Sequence, residues 1–438
     1  MSQQTNKFSS GSEHINSIDQ SILPCPQFIR GKSLTFDIQY SCNRARSCIL
    51  KLPHGKIYTP IFMPVATHGA IKGLSTAQVE ELNVPIILGN AYHLSSRPGV
   101  KVIKDFGGLH KFMNWNRNLL TDSGGFQMVS LLKFANITEE GVTFKHPYTN
   151  ATMIFTPEKS IEYQNSIGAD IIMQLDDVVS AQCTNYERIK EAVGRTTRWL
   201  DRCIKAHKRP YEQNLFGIVQ GGVYKELREQ SLKDLIARDL PGYAIGGLSG
   251  GETKDDFWPI IELCTHPVYG LPYSKPRYVM GVGYTVDILI CVALGADMFD
   301  CVYPCRTARF GTAMVKRGLI KLKLSKYSKD LEPIDKCCEC YCCKHYTRAA
   351  LHSIVSKESL SSQLITIHNI TFMMKFCSEM RESIKDQTFP EYCQQFLLEY
   401  YSATNLDHLP INYEQPKIPS WIIDAMEKAQ IHIEQFKT

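Results

Sequence analysis

A chain of 438 residues with 44% apolar content can bury a large core, and its balanced charge excludes a disordered chain. No apolar run reaches the about 18 residues of a membrane span, and Met1 to Cys25 is polar rather than a secretory leader, so a cytosolic protein is expected. The net charge of +5 points to no partner by itself, and sixteen cysteines scattered through a cytosolic chain do not make a disulfide framework.

Residues 1–30 read as a disordered arm. Eight short runs of strand composition follow: Pro60–Val65, Ile86–Asn90, Leu119–Ser123, Ile171–Asp176, Leu215–Gln220, Tyr243–Leu248, Arg277–Val282 and Met298–Tyr303. Most are continuously apolar, as parallel strands buried on both faces are. Between strands, helices are expected at Pro157–Ile167, capped by Thr156, at Thr184–Lys208, capped by Thr184, at Tyr224–Arg238 and at Val286–Leu294. Val142–Phe155 alternates around Thr149–Asn150 and reads as a β-hairpin excursion. Eight β/α units predict a TIM barrel over 31–325, with that hairpin as an insertion. A doubly wound open sheet is the rival, weakened because no Gly-x-Gly-x-x-Gly follows an early strand. Arg306–Leu324 is expected to be loop or extra strands. Residues 326–438 should form a zinc-binding and helical region packed on the barrel, with helices near Ile370–Lys385 and Trp421–Phe436.

Cys338-x-Cys340-x-x-Cys343 places three thiolates within one knuckle, and His368 follows just before a helical stretch. Three Cys and one His form the closed tetrahedral set of a structural zinc. Cys337-x-x-Cys340 is an alternative register, Cys342 is a spare thiol, and His345 and His352 are rival fourth ligands. From Arg306 to Lys329 eight basic residues occur with no acidic one. Alone, this run reads as a solvated face; beside a polyanion it would be a binding surface.

In a barrel, chemistry gathers at the C-terminal ends of strands. Asp122, Asp176, Asp177 and Asp300 all fall at such ends. A lone Asp there is as often a cap, yet four at one mouth suggest carboxylate chemistry. Two carboxylates flanking a sugar–base bond can carry out retaining glycosyl transfer, one as nucleophile and the other handling protons. Glycine pairs at Gly221–Gly222, Gly246–Gly247 and Gly250–Gly251 permit tight turns or close approach of a flat ligand.

Taken together, Thr121-Asp122-Ser123-Gly124-Gly125-Phe126-Gln127, Gly217-Ile218-Val219-Gln220-Gly221-Gly222, Gly281-Val282-Gly283, Asp297-Met298-Phe299-Asp300-Cys301-Val302 and the cysteine pattern resemble the tRNA-guanine transglycosylases over about Phe36 to Lys385. The resemblance implies that Asp300 is the nucleophile at C1′ of the target ribose and Asp122 the general acid/base. It implies that Asp176 reads N1–H and the 2-amino group of a guanine-like edge. Gln220 and the Gly247 N–H match donors to O6, and Leu248 matches a backbone contact to the base's substituent. Phe126 and Met280 match the pair that sandwiches the base. Asn90 and His93 match a support near the mouth and subunit contact, and Arg306 and Arg309 match residues that grip tRNA. Cys338, Cys340, Cys343 and His368 match ligands of one structural zinc.

Around Asp176-Asp177-Val178 and Gly246-Gly247-Leu248-Ser249-Gly250-Gly251 the chain departs from bacterial members and is similar to eukaryotic catalytic chains. That implies queuine as the incoming base and G-U-N anticodon tRNAs as substrates. It implies a homologous non-catalytic subunit as partner, or a homodimer, and peripheral association with the mitochondrial outer face. A non-catalytic tRNA-binding subunit of the same fold is the alternative, against which Asp300 speaks. An ordinary retaining glycoside hydrolase is a third reading, disfavoured by the guanine-reading set.

Overall fold

The computed structural model describes residues 33–126, 136–145, 151–402 and 417–435. The expected N-terminal arm, Gln127 and the Thr149–Asn150 turn lie outside these residues. All eight expected strands form one parallel sheet: Ile61–Pro64, Ile86–Asn90, Asn118–Asp122, Ile171–Met173, Asn214–Val219, Gly242–Ile245, Arg277–Val279 and Met298–Cys301. Each lies beside its sequence neighbour, and the last pairs with the first. A parallel bridge between Val65 and Leu88, with the Ala66 N–H donating to the Leu88 carbonyl at 2.7 Å, joins the first two strands and closes the ring. The fold is therefore a TIM barrel, not an open doubly wound sheet.

Strand side chains alternate faces with period two. Ile61, Met63, Ile86, Leu88, Leu120, Ile171, Met173, Phe216, Ile218, Ala244, Tyr278 and Met298 fill the barrel interior as one buried cluster. Phe62, Ile87, Leu119, Ile172, Leu215, Tyr243, Ile245, Val279 and Phe299 belong to a second core, between the sheet and the helices.

The helix capped by Thr156 spans Pro157–Ile167 as expected. The next runs from Tyr186 to Ala206 and is capped by Asn185, not Thr184: the Asn185 side chain accepts from the Arg188 N–H at 3.1 Å. The hairpin insertion is present as Val142–Lys145 paired with Thr152–Phe155, and Asn136–Ile137 adds a third strand. After the barrel come a short helix, Tyr303–Arg309, and a hairpin, Thr312–Val315 with Gly318–Lys321. The helix expected from Ile370 begins earlier, at Ser359, and runs 27 residues to Lys385, so His368 lies inside it rather than before it. Two further helices, Phe389–Tyr400 and Ser420–Lys428, complete the described C-terminal region.

An antiparallel sheet of Thr35–Cys42, Ala45–Leu52 and Gly55–Thr59, not expected from sequence, closes the N-terminal end of the barrel. Its Leu50, Leu52 and Ile57 join the interior cluster. Polar ties hold it there. Arg46 is fully buried and pairs with Asp297, Nε to Oδ1 at 2.8 Å and Nη2 to Oδ2 at 2.5 Å. Asp297 Oδ2 also accepts from the Arg277 N–H at 2.7 Å. His54 Nδ1 meets Asp170 Oδ1 at 2.7 Å and stacks on His110, whose Nε2 meets the Arg117 carbonyl at 3.0 Å. These ring nitrogens already have acceptors, which accounts for the His–His–Asp group as a latch. Among the described residues, no helix is long and apolar enough to cross a membrane.

Removing one partner of a buried ion pair strands the other charge. Asp297→Asn is therefore expected to lower the unfolding free energy by about 3–5 kcal/mol. The measurement is a urea titration, with the midpoint reduced and the slope retained. A loss below about 1 kcal/mol would show that this pair does not hold the floor of the barrel.

Candidate active site and metal centre

Period two carries the interior pattern on to the strands' C-terminal ends. Two residues beyond Leu88, Leu120, Ile218, Ala244, Tyr278 and Met298 stand Asn90, Asp122, Gln220, Gly246, Met280 and Asp300. A polar ring therefore sits on top of an apolar plug. Asp176 reaches it differently. Strand parity would have turned residue 176 outward, but the strand stops at Met173 rather than at Asp176, and Leu175 packs in the outer core. The break in parity brings Asp176 to the mouth, where Gln220 Nε2 donates to its Oδ2 at 2.6 Å and the Ser123 hydroxyl to its Oδ1 at 3.5 Å.

Asp122 accepts from Asn90 Nδ2 at 2.6 Å and from the Ala91 N–H at 3.2 Å. Asn90 works at both ends of its amide, because its Oδ1 caps the following helix at the His93 N–H, 3.0 Å away. Burial, and then the charge of nearby Asp300, push Asp122 up to about 7. Asp300 accepts on Oδ1 from the Tyr278 hydroxyl at 2.5 Å and from the Gly281 N–H at 2.8 Å. Burial raises Asp300 as well, opposed by those two bonds. Among the described residues no hydrogen bond goes to its Oδ2, which is left open. Burial also pushes Asp176 up to about 6, against the Gln220 bond.

Glycines let these groups meet. A Cβ on Gly246 would lie 3.1 Å from Gln220 Nε2 and 3.4 Å from Met280 Sδ. Gly247, at φ +69°, could not carry one, since it would come within 2.3 Å of Gln220 Oε1. Leu248 is half-buried beside them. Phe126 is 59% exposed at the start of the segment after Asp122, leaving its ring free to stack.

The structure thus brings Asp122, Asp300, Asp176, Gln220, Gly247 and Met280 to one mouth. It does not bring Asp177 there: Asp177 is fully buried and turned away onto Arg188, at 2.9 and 2.5 Å, and Arg195, at 2.5 Å. Of the four strand-end carboxylates, this one is structural. Sequence reasoning missed Tyr278 and the Gly281 N–H, the donors to Asp300. Parity from Met280 back to Tyr278 was the available signal. Arg306 and Arg309 are exposed on the helix just after Asp300, whereas Lys316 of the basic run pairs with Glu379 at 3.4 Å.

Away from the mouth, Cys338, Cys340, Cys343 and His368 place one sulfur or nitrogen each within 4.8 Å of one another, an arrangement that can hold a metal ion. His368 Nδ1 lies 3.7 Å from Cys340 Sγ and 3.3 Å from Cys343 Sγ. Its Nε2 meets the Met314 carbonyl at 2.8 Å, which makes Nε2 the protonated nitrogen and leaves the Nδ1 lone pair facing the thiols. Hydrogen bonds from Cys338, then Cys343, pull the Cys340 thiol far below its ordinary range. The rival ligands fall away. Cys342 is buried in the core, Cys337 is exposed, His345 packs on Tyr341, and His352 Nδ1 is bonded to the Leu322 carbonyl at 2.7 Å.

Comparison with known proteins agrees with this architecture. The family model described as queuine tRNA-ribosyltransferase matches residues 41–402. A protein named queuine tRNA-ribosyltransferase catalytic subunit from Schizosaccharomyces pombe is 48% identical over 410 residues, covering 92% of this chain and 98% of its own length. One of the same name from Caenorhabditis elegans is 48% identical over 398 residues, covering 90% and 98%. A queuine tRNA-ribosyltransferase from Staphylococcus haemolyticus is 44% identical over 388 residues, covering 88% and 99%. The chain belongs to the queuine tRNA-ribosyltransferase family.

Proposed function

We propose that this chain catalyses base exchange in tRNA, replacing the wobble guanine of G-U-N anticodons with queuine through a covalent enzyme–tRNA intermediate. The observation that carries the reading is the pair of buried carboxylates at one mouth with different hydrogen-bond environments. Asp300, with one oxygen held by Tyr278 and Gly281 and the other open, is suited to attack C1′. Asp122, raised to about 7, keeps a proton for the leaving base and can later take the N9 proton of the incoming one. Asp176 and Gln220 read the guanine edge, the Gly247 N–H and the Leu248 backbone complete the pocket, and Phe126 and Met280 close on the base's two faces. The exchange conserves the glycosidic bond energy in the ester, so no energy-rich co-substrate is required.

Arg306 and Arg309, exposed beside Asp300 in sequence, would grip the anticodon loop, whose target base must leave its stack to enter the barrel. The metal of the Cys3His group is assigned as zinc. A tetrahedron with zinc–sulfur bonds of about 2.3 Å and zinc–nitrogen bonds of about 2.0 Å has S···N edges of about 3.5 Å. The two sulfur–nitrogen separations of 3.7 and 3.3 Å straddle that value. Four protein ligands leave no open position, so the role is structural. Similarity to chains named catalytic subunit supports a heterodimer with a homologous non-catalytic subunit, and a homodimer is the alternative. The free thiols suit the cytosol, with peripheral association at the mitochondrial outer face resting on family resemblance.

Three measurements test this reading. Labelled tRNA mixed with the chain, alone and with a partner subunit, and a slow guanine analogue should give a denaturation-resistant band. Asp300→Ala should abolish it, and a band that persists in that variant would remove Asp300 as nucleophile. Because protonated Asp122 serves the departing base, the trapping rate should fall as pH rises through about 7. Asn90 stabilises the ionised carboxylate, so Asn90→Ser should raise the Asp122 pKa and move that falling limb to higher pH. A limb that stays in place or moves down would refute the assignment. Metal analysis should find one zinc per chain, and its removal by a chelator should lower Tm and open Cys338 to thiol reagents. A zinc-free chain of unchanged Tm would rule out a structural metal.

A further inference from the structure

Arg228 is a buried cation that the account above does not use. It lies on the helix Lys225–Ile236 and is fully buried. Its Nε donates to the Gly222 carbonyl and its Nη1 to the Val219 carbonyl, each at 2.8 Å. Its Nη2 is buried with no hydrogen-bond partner, and among the described residues the carboxylate whose charge it feels is that of Glu252. A buried guanidinium with one edge unbonded is costly to desolvate. Such a group persists where its position serves something else.

Its position is informative. The two bonded carbonyls flank Gln220, one residue before and two after. The turn between them is tight: a Cβ on Gly221 would come within 2.9 Å of the Arg228 amide nitrogen. The free edge faces the other base-reading element, since a Cβ on Gly247 would lie 3.6 Å from Arg228 Nη2. One guanidinium therefore holds the backbone on both sides of Gln220 and stands behind Gly247.

We propose that Arg228 is a positioning residue for base exchange, which fixes Gln220 and the Gly247 N–H as a donor pair for O6 and places a buried positive charge behind that edge. This rests on the base-exchange reading above. As the C1′–N9 bond breaks, its electron pair moves onto the base. An oxygen of Asp300 supplies the pair that forms the new bond to C1′, and the proton for N9 comes from Asp122. The negative charge that collects on the base spreads to O6. Preorganised donors backed by a cation in a site of low dielectric favour that charge without reorganising.

The test is exchange of labelled guanine into tRNA by the full chain with its partner subunit, comparing wild type with Arg228→Met and Arg228→Lys. Arg228→Met removes the desolvation cost of the charge and also the bonds to the Gly222 and Val219 carbonyls, so the two effects on stability oppose each other. Arg228→Met is expected to keep Tm within a few degrees and to lower kcat/KM for guanine about ten- to a hundredfold, chiefly through kcat. KM for tRNA should stay within about twofold, since phosphate contacts dominate that affinity. Arg228→Lys, which keeps the charge, should recover part of the loss. An unchanged kcat/KM for guanine would overturn the proposal. So would a parallel rise in both KM values with a falling Tm, the mark of a merely structural arginine. A wild-type chain that exchanges no guanine would remove the base-exchange reading and this inference with it. Wild-type exchange with indifferent variants would remove this inference alone.

Discussion

Closure of the eight-stranded sheet is the constraint on which the rest depends. Once the Val65–Leu88 bridge completes the ring, every second side chain of every strand must point inward. The strands are parallel, so their inward residues rise in layers from one end to the other. The lower layers are apolar and are sealed from below by Leu50, Leu52 and Ile57 of the N-terminal sheet. The top layer carries Asn90, Asp122, Gln220, Met280 and Asp300, on strands that are far apart in sequence. The site is thus the last turn of a packing pattern, and its precision comes from the packed layers beneath. Tyr278 belongs to both, filling the interior with its ring and holding Asp300 with its hydroxyl.

The same dry environment sorts the carboxylates. Desolvation raises Asp122, Asp176 and Asp300 alike, and each is then distinguished by its neighbours. Asp122 feels the charge of Asp300 and has only Asn90 and backbone donors against it, so it retains a proton near neutrality. Asp176 and Asp177 are adjacent and identical in chemistry, yet one faces the mouth and the other lies between two arginines. Residue type alone could not divide them; the end of the strand at Met173 does.

How much of this was legible in the sequence follows from the same physics. The eight strands were readable because parallel strands buried on both faces leave continuous apolar runs, and their ends were overestimated because the apolar composition continues into the βα turns. The Cys3His group was readable from spacing, since three of its ligands lie within six residues. The N-terminal sheet was passed over although Thr35–Cys42 alternates polar residues with Phe36, Ile38, Tyr40 and Cys42; a register shift between Ile38 and Tyr40 breaks that alternation and leaves Tyr40 exposed. The first turns of the Ser359–Lys385 helix were obscured by serines, which favour caps and turns until tertiary packing overrides them. Arg228 was invisible for a different reason. A charged residue on an amphipathic helix reads as solvent-facing, and only the chain's path past Val219 and Gly222 makes it a buried clamp.

The long C-terminal helix links the Cys3His group to the segment that follows Asp300. His368 and Asn369 are consecutive, and both reach the segment that follows Asp300. His368 Nε2 bonds to the Met314 carbonyl at 2.8 Å. Asn369 Nδ2 donates to the Pro304 and Thr312 carbonyls at 2.9 and 3.1 Å, and its Oδ1 accepts from the Met314 N–H at 2.8 Å. The imidazole therefore has one nitrogen for the thiol cluster and one for the hairpin behind the helix of Arg306 and Arg309. A ligand bond on the first nitrogen fixes the orientation of the second, as outer-shell partners of a metal site do. Whatever loosens the cluster is transmitted first to the helix that carries the two exposed arginines, whereas Asp122 ends a barrel strand and Asp176 and Gln220 follow the ends of theirs, held by the barrel's own packing. The Cys3His group and the barrel thus hold different parts of the molecule, the first the segment that carries Arg306 and Arg309 and the second the polar mouth.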